Sequence, residues 1–537
     1  MRHKVYMRDW YFNAGIIGFL ATLSDWNTDP KSIEGVKVGE NFIEFENEVL
    51  EDFTDNFLRR IFFLFFKKRA YLNKIEGVLK ELQDKKVKNP YSKIKNIEEK
   101  GQYKRFLTSL NLLPKQEIEE KEEVIKLAEH IIAEITGYSD LTIYNKILNG
   151  DENALSYFVG LKLKGVSSYK NIEKYIKKIS NIKEAKIKNN LYCLSCQQRK
   201  ASEDFSNSIS NLIGVNTDNK NWVWGYKDTK TKVCPVCALI YQCAVIAFAY
   251  TLKKKDNNWL NFFYFINCNS SVSDLYESVA SFRLLLKQQQ DKPLYAMIQE
   301  SVRLIQSEQI KDINGNVNFI EMADNPILSG QSTKGYNLYN YNIDKKTAEF
   351  LNKEERFDKL KKIGGYIIKK DYYDVGEELL LLTVKKQIGF LLLNGYFQYY
   401  VSSSVKIMYN LYRISEHILS YIRFYKEASM QEKIKKISKK GFGNGRDLRR
   451  KLKSEDNLNQ VEGIVYRFLN DLKISDRDKF LDKYIRIMMR HKMDIRFGQN
   501  ELLDTDDFLT FGYSFINGLL YKEYEKKDNE SNKKGDN

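Results

Sequence analysis

Four cysteines in two tight pairs, Cys193-Leu194-Ser195-Cys196 and Cys234-Pro235-Val236-Cys237, constrain this chain more than any other feature. Two intervening residues let both sulfurs of a pair point at one ion from a single turn, and four thiolates close a tetrahedral shell around Zn²⁺. The spacing therefore predicts a structural zinc site. Cys196 leads into Gln197-Gln198-Arg199-Lys200, a polar exit suited to a knuckle, and Pro235 stiffens the second turn. The alternatives are two disulfides or four unrelated thiols. With six cysteines in 537 residues and disulfides rare in reducing compartments, the double pair favours a metal. A closed four-cysteine shell leaves no open position for water, which argues against zinc catalysis. Cys243 and Cys268 lie in apolar surroundings and are expected in the core.

Between Cys196 and Cys234 stand 37 residues, against the roughly 15 to 20 of a common zinc ribbon. An excursion must fill that gap. It contains Ser206-Asn207-Ser208 and Asn216-Thr217-Asp218-Asn219, polar turns, and then the aromatic run Trp222-Val223-Trp224-Gly225-Tyr226.

A chain of this length exceeds one compact core and is expected to form two to four domains. The opening Met1-Arg2-His3-Lys4-Val5-Tyr6 carries no apolar core or cleavage site of a signal peptide. The runs Ile61 to Phe66 and Phe508 to Leu520 are too short or too interrupted to span a bilayer. A cytoplasmic protein without a membrane partner is expected. The net charge of +16, from 87 Lys and Arg against 71 Asp and Glu, suits a partner made of phosphates. Part of that excess reflects a Lys-, Asn-, Ile- and Tyr-rich composition of the kind A+T-rich coding sequence produces, so its distribution matters more than its total.

The charge concentrates between residues 431 and 453. Lys433, Lys435, Lys436, Lys439, Lys440, Arg446, Arg449, Arg450, Lys451 and Lys453 face only Glu432 and Asp447, a net charge of +8 over 23 residues. Gly441-Phe442-Gly443-Asn444-Gly445 at its centre predicts a break and a mobile loop with basic arms. Such a loop places cations along a phosphate backbone; the alternative is a solvated connector between two helices. Lys162 and Lys164, in the polar segment Lys162 to Ser168, are further candidates for nucleic-acid contact.

Asp9 is placed to cap a helix through Leu23 with Phe12, Ile16, Phe19, Leu20 and Leu23 on one face, and Gly15 and Gly18 permit close packing. Asn41 to Phe45 alternates like a strand. A long helix is predicted from Glu48 to about Lys80, and residues 84 to 127 read as an exposed elaboration with few large apolar residues. Trp259 to Asn267 reads as a buried strand, Ser273-Asp274 as a helix cap, and residues 315 to 375 as short strands and turns. Helices are predicted near 377 to 395, 402 to 426, 446 to 472, 476 to 492 and 500 to 523, and Ser475 or Asp476 starts the fourth. The predicted class is α+β and multidomain. It comprises an α/β domain over 1–190, a zinc module over 191–250 inserted in it, the remainder of the α/β domain over 251–375, a helical bundle over 376–523 and a disordered tail over 524–537.

A search for catalytic patterns returns no GxxxxGK[ST] loop, no GxSxG elbow and no HExxH, and His3, His130, His417 and His491 stand alone. Glu184-Ala185-Lys186 fits a nuclease triplet that a Lys- and Glu-rich chain yields by chance. His130 and Glu134 share a helix face without a third ligand. No catalytic constellation is expected.

Asp9-Trp10-Tyr11-Phe12-Asn13-Ala14-Gly15-Ile16-Ile17-Gly18-Phe19, the double CxxC, the strand ending Phe265-Ile266-Asn267 and a helical last third together resemble the CXXC-CXXC group of large subunits of type I-B CRISPR Cascade complexes. The resemblance covers the whole chain, with the opening motif and the cysteines as its specific parts. It implies a non-catalytic subunit beside the guide's 5′ end that reads the protospacer-adjacent motif in duplex DNA, aids its opening and recruits a helicase-nuclease. The partners implied are CRISPR RNA, target double-stranded DNA, and the backbone and small subunits. Base pairing then carries the sequence information. The last third resembles the small subunit, which some members also make from an internal start; Met408 and Met430 are candidates here. The rival readings are a stand-alone zinc-ribbon nucleic-acid-binding or scaffold protein and a metal-dependent nuclease, the latter lacking a clustered acidic triad.

Overall fold

The computed structural model describes residues 1–66, 68–84, 87–99, 105–150, 169–181, 192–204, 232–255, 258–268, 271–288, 292–306, 317–325, 335–368, 371–402, 409–495, 497 and 501–521. Its contacts divide the chain into two compact units, residues 1–344 and 345–537. The first is a mixed α/β region and the second is dominated by a helical bundle. Segment 345–375, grouped from the sequence with the α/β part, clusters with the bundle.

In the first unit, β1 (Arg2–Tyr6) is followed by α1 (Trp10–Leu23), β2 (Val36–Val38) and β3 (Phe42–Glu46). The strands form an antiparallel sheet in the order β1-β3-β2, with Val5 opposite Ile43 and Val36 opposite Phe45. Ile43 and Phe45 are buried, as the alternation predicts. The Asp9 carboxylate accepts hydrogen bonds from the Tyr11 and Phe12 amides and so caps α1. Beyond the single apolar face expected, α1 is buried on every side from Tyr11 to Thr22, which makes it a central helix.

The helices α2 (Phe53–Phe65) and α3 (Lys68–Asp84) replace the single helix predicted from Glu48 to Lys80. Phe66 is extended between them. A continuous helix would turn part of the apolar run Ile61 to Phe66 to solvent; the break lets Phe65 and Phe66 both be buried while Phe63 remains exposed. Next come α4 (Pro90–Glu99), α5 (Phe106–Ser109), α6 (Lys121–Gly137), α7 (Asp140–Gly150) and α8 (Tyr169–Ser180). The region read as an exposed elaboration has a core of its own. Leu82, Ile94, Phe106, Leu107, Leu110 and Val124 are buried, and Phe106 lies 4.4 Å from the Tyr71 ring. Sparse apolar residues suffice there because several short helices share one small core.

Two short strands, β4 (Glu203–Asp204) and β5 (Lys232–Val233), precede α9 (Pro235–Ala247), β6 (Ala249–Lys255), β7 (Asn258–Cys268), α10 (Val272–Gln288), α11 (Pro293–Gln306), β8 (Val317–Asn325) and β9 (Gly335–Ile343). The last four strands form an antiparallel meander in the order β6-β7-β8-β9, with Phe265 opposite Ile320 and Phe319 opposite Tyr341. The α10 cap is Ser271, two residues before the position expected. Its hydroxyl accepts from the Asp274 amide while its own amide and hydroxyl donate to the Asp274 carboxylate, a reciprocal capping box.

Helix α9 is buried along its whole length and packs on α1. A Cβ added at Gly15 would stand 2.3 Å from the Ile240 carbonyl oxygen, and one at Gly18 would stand 1.9 Å from that of Cys243. Only glycine permits this approach of two helix backbones.

The second unit contains α12 (Lys345–Asn352), α13 (Arg356–Lys361), the hairpin β10 (Gly365–Ile368) and β11 (Asp371–Asp374), and then α14 (Val375–Val384), α15 (Phe390–Ser402), α16 (Leu411–Phe424), α17 (Ala428–Ser454), α18 (Val461–Lys473), α19 (Arg477–Arg490) and α20 (Thr505–Leu520). The Asp476 carboxylate caps α19 by accepting from the Lys479 amide. The tail from residue 524 lies outside the described residues.

The mobile loop expected at Gly441 to Gly445 is instead the middle of the 27-residue helix α17. The glycines are packing devices. A Cβ at Gly441 would meet the Phe511 carbonyl at 2.5 Å, one at Gly445 the Phe515 carbonyl at 1.9 Å, and one at Gly518 the Phe442 carbonyl at 2.1 Å. The backbones of α17 and α20 thus interlock, and the contact offsets the roughly 1 kcal/mol that each helical glycine costs. Gly443 meets nothing within 4 Å. Gly445→Ala should therefore destabilise the second unit by about 2–3 kcal/mol, whereas Gly443→Ala should raise stability by up to about 1 kcal/mol. Denaturant unfolding of the two variants checks this; equal effects would contradict the packing.

Candidate metal centre

The first knuckle is built by backbone hydrogen bonds around a reversal. Tyr192 bridges Lys200, the Cys193 amide donates to the Arg199 carbonyl at 2.8 Å and the Gln197 amide donates to the Cys193 carbonyl at 2.8 Å. Gln197 takes the left-handed conformation, φ 51°, that closes the turn. The Cys196 amide points at the Cys193 Sγ at 3.4 Å.

The second knuckle is the start of a core helix. Cys234 is the cap residue of α9, Pro235 occupies its first turn, and the Cys237 amide donates to the Cys234 Sγ at 3.4 Å. Proline costs nothing at this position because its missing amide would have no intrahelical partner. The helix N-terminus also favours the thiolate form of a sulfur placed there.

The two knuckles are joined at the base of the long excursion. β4 and β5 pair with Glu203 opposite Val233, the Ser202 amide donates to the Val233 carbonyl at 3.1 Å, and the Leu194 amide to the Lys232 carbonyl at 3.0 Å. This short ladder returns the chain directly to Cys234. The 37-residue spacing costs the site nothing in geometry. Residues 205–231, with the aromatic run Trp222 to Tyr226, lie outside the described residues.

All four thiols are buried, and their sulfurs lie within 4.8 Å of one another. Cys196 and Cys234 Sγ stand 3.8 Å apart. That is far beyond a disulfide bond of about 2.05 Å, and it equals the edge of a sulfur tetrahedron with Zn–S bonds of about 2.3 Å. Among the described residues these four form the one group of three or more His, Cys, Asp or Glu able to hold an ion. The donor set fits a structural zinc.

Crowding four thiols makes them share protons unequally. Cys196 is held well below the usual thiol range by hydrogen bonds from Cys193, Cys234 and Cys237. Bonding with Cys196 raises Cys193, but Cys234 and Cys237 lower it more, leaving it at about 6. Cys234 and Cys237 are pushed up, first by Cys193 and Cys196 and further by burial. A divalent cation relieves this conflict because it stabilises all four thiolates together.

The knuckles are fastened to the N-terminal segment. Arg8 Nη1 donates to Ser195 Oγ at 3.1 Å, Ser195 Oγ lies 3.3 Å from the Tyr241 hydroxyl, and Arg199 Nη2 donates to the Lys4 carbonyl at 2.6 Å. Sequence reasoning missed Arg8 and Tyr241, whose partners are remote in the chain; a cation next to the capping Asp9 was the available signal. Cys243, pushed up by burial, and Cys268 are core residues as expected.

Three of the four histidines make structural contacts elsewhere. His3 Nε2 lies 2.7 Å from Asn47 Oδ1, His417 Nε2 lies 2.9 Å from Thr383 Oγ1 and His491 Nδ1 lies 2.7 Å from Glu455 Oε2. Glu134 accepts from the Tyr138 hydroxyl.

The basic residues expected on a loop are distributed around helix α17. Lys433 pairs with Asp507, Lys440 with Glu501, Lys435 with Glu432, Arg450 with Asp447 and Lys451 with Glu455. Arg449 Nη1 donates to the Leu519 carbonyl at 2.9 Å. Lys453 is also engaged. Lys433, Lys440 and Arg449 thus hold α17 to its neighbours, while Lys435, Arg450 and Lys451 pair along α17 itself. Lys162, Lys164 and Glu184 to Lys186 lie outside the described residues, as does Met408. Among the described residues no helix is long and apolar enough to cross a membrane.

The purified chain should carry one zinc per molecule by elemental analysis. Cys234→Ser should abolish that and lower the thermal midpoint of the first unit by several degrees, since the knuckle starts a core helix. Zinc loss without a change in melting would contradict this coupling. No family model, no curated protein and no solved structure matches this chain.

Proposed function

We propose that this protein is the non-catalytic large subunit of a type I-B RNA-guided DNA surveillance complex. In this role it reads the protospacer-adjacent motif, assists duplex opening and recruits the helicase-nuclease. It acts in the cytoplasm with CRISPR RNA and the backbone and small subunits. One observation carries the reading: the segments that bear the resemblance meet in one core. Asn13 of the opening motif donates through Nδ2 to Asn267 Oδ1 at 3.0 Å, a buried bond across 254 residues. Gly15 and Gly18 admit the helix that begins at the second cysteine pair. Trp10 faces Phe248, and Phe248 packs edge-on to Phe265 of the strand ending in Asn267.

These segments are remote in sequence and form one packed core. Its chemistry is that of a scaffold: apolar helices, a closed metal shell and buried amide pairs, with no cluster of acids in the described residues suited to hydrolysis. The net charge of +16 favours polyphosphate partners. Specificity beyond a few base pairs would reside in the guide RNA.

Expression of the chain with the neighbouring genes of its locus and affinity purification test this reading. The expected result is a ribonucleoprotein holding an RNA with a constant repeat-derived 5′ end. A chain that purifies free of RNA and of other subunits under these conditions overturns it.

A further inference from the structure

The second unit contains a cleft of about 300 Å³ between α16, α17 and α20, at the lower end of the range for small-ligand sites. Three cations line it: Arg423 from α16, and Lys439 and Arg446 from α17. Unlike Lys433, Lys435, Lys440, Arg450 and Lys451 of α17, none of the three makes an ion pair among the described residues. Arg446 Nε is shut off from solvent and has no acceptor.

Two carboxylates also reach the cleft, and both are already engaged. Glu416 accepts from Lys359 at 3.2 Å and Glu354 from Arg356 at 3.3 Å. The three cations thus make no direct ion pair with the carboxylates that share their lining, and they outnumber them. Asn517, 5% exposed, lines the same cleft and makes no side-chain hydrogen bond among the described residues. A buried guanidinium nitrogen without a partner is costly, and Arg446 Nε marks the place of a missing acceptor.

At the side of the cleft stand Tyr412 and Phe442, 5.4 Å apart and edge to face. Tyr521 packs against both rings at 5.4 Å, and Tyr412 remains 38% exposed. Gly443 also lines the cleft, and nothing lies within 4 Å of where its Cβ would be. No packing within the protein requires glycine there, unlike at Gly441 and Gly445. An empty position next to unpaired cations leaves room for a ligand against the helix backbone.

We propose that this cleft binds the phosphate group of a nucleotide, free or within a single strand. Arg423, Lys439 and Arg446 take the phosphate oxygens, Asn517 adds a donor, and the base lies against Tyr412 and Phe442. Arginine and phosphate form charge-assisted, often bidentate bonds, and aromatic stacking accepts any base. The assignment does not rest on the surveillance-complex reading, because it uses the bundle's own geometry.

Calorimetric titration of the full chain with adenosine monophosphate, adenosine and an oligothymidylate tests it, in the native protein and in Arg446→Gln and Gly443→Glu. A glutamate at 443 enters open space and brings a repelling charge, so the fold should survive; a melting midpoint no lower than the native protein's verifies that. The nucleotide should bind at least tenfold more tightly than the nucleoside, and both variants should weaken it at least tenfold. If only the oligonucleotide binds, with the same sensitivity to both variants, the phosphate belongs to a strand. Binding of neither, equal affinity for adenosine and its monophosphate, or indifference to both substitutions in a folded protein overturns the proposal.

Discussion

The first unit depends on the approach of α1 and α9 at backbone distance. Side chains normally hold packed helices 8–10 Å apart; here Gly15 and Gly18 remove them, leaving room for the carbonyls of Ile240 and Cys243. Both helices are buried on all faces, so neither has a solvent side to tolerate a shift. The second cysteine pair is the first turn of α9. The geometry of the four-cysteine cluster and core packing are consequently one constraint, and the knuckle is an anchor of the core as much as half of a cluster able to hold a metal. The Asp9 cap, the Asn13–Asn267 bond and the Arg8–Ser195 contact fix the same helix pair at the end that carries the knuckles.

The second unit repeats the device with different partners. Gly441, Gly445 and Gly518 let α17 and α20 interlock, while Lys433, Lys440 and Arg449 hold the flanks. One helix thus serves two surfaces. Its glycine-bearing face is closed by α20, and the face carrying Lys439, Gly443 and Arg446 opens on the cleft. The charge that suggested a strand-binding loop is divided between internal ion pairs and a few cations without partners.

Much of the α/β region was legible from local pattern. Asp9 followed by a continuous apolar run defines α1, the alternation ending at Phe45 defines β3, and Trp259 to Asn267 lies within β7. These signals are local, because caps and periodicity act over a few residues. Phe66 was misread because an unbroken apolar run looks helical until one knows which neighbours must be buried with it. The region from 84 to 127 was misread for a related reason: Ile94, Phe106 and Val124 form a core only once their helices have come together.

The metal centre is the part that the sequence by itself determined. Its chemistry is set by residue type and by a spacing of three positions within each pair, and the sulfurs gather as that spacing requires. What the glycines and cations do was decided by the tertiary structure alone. A glycine run breaks a helix in isolation, yet the close contact of Gly445 with Phe515 makes the same residues stabilising. A lysine is a free charge until its neighbour is known, as Lys433 beside Asp507 and Lys439, which makes no ion pair among the described residues, both show. Those partners are distant in the chain, and local physics carries no record of them.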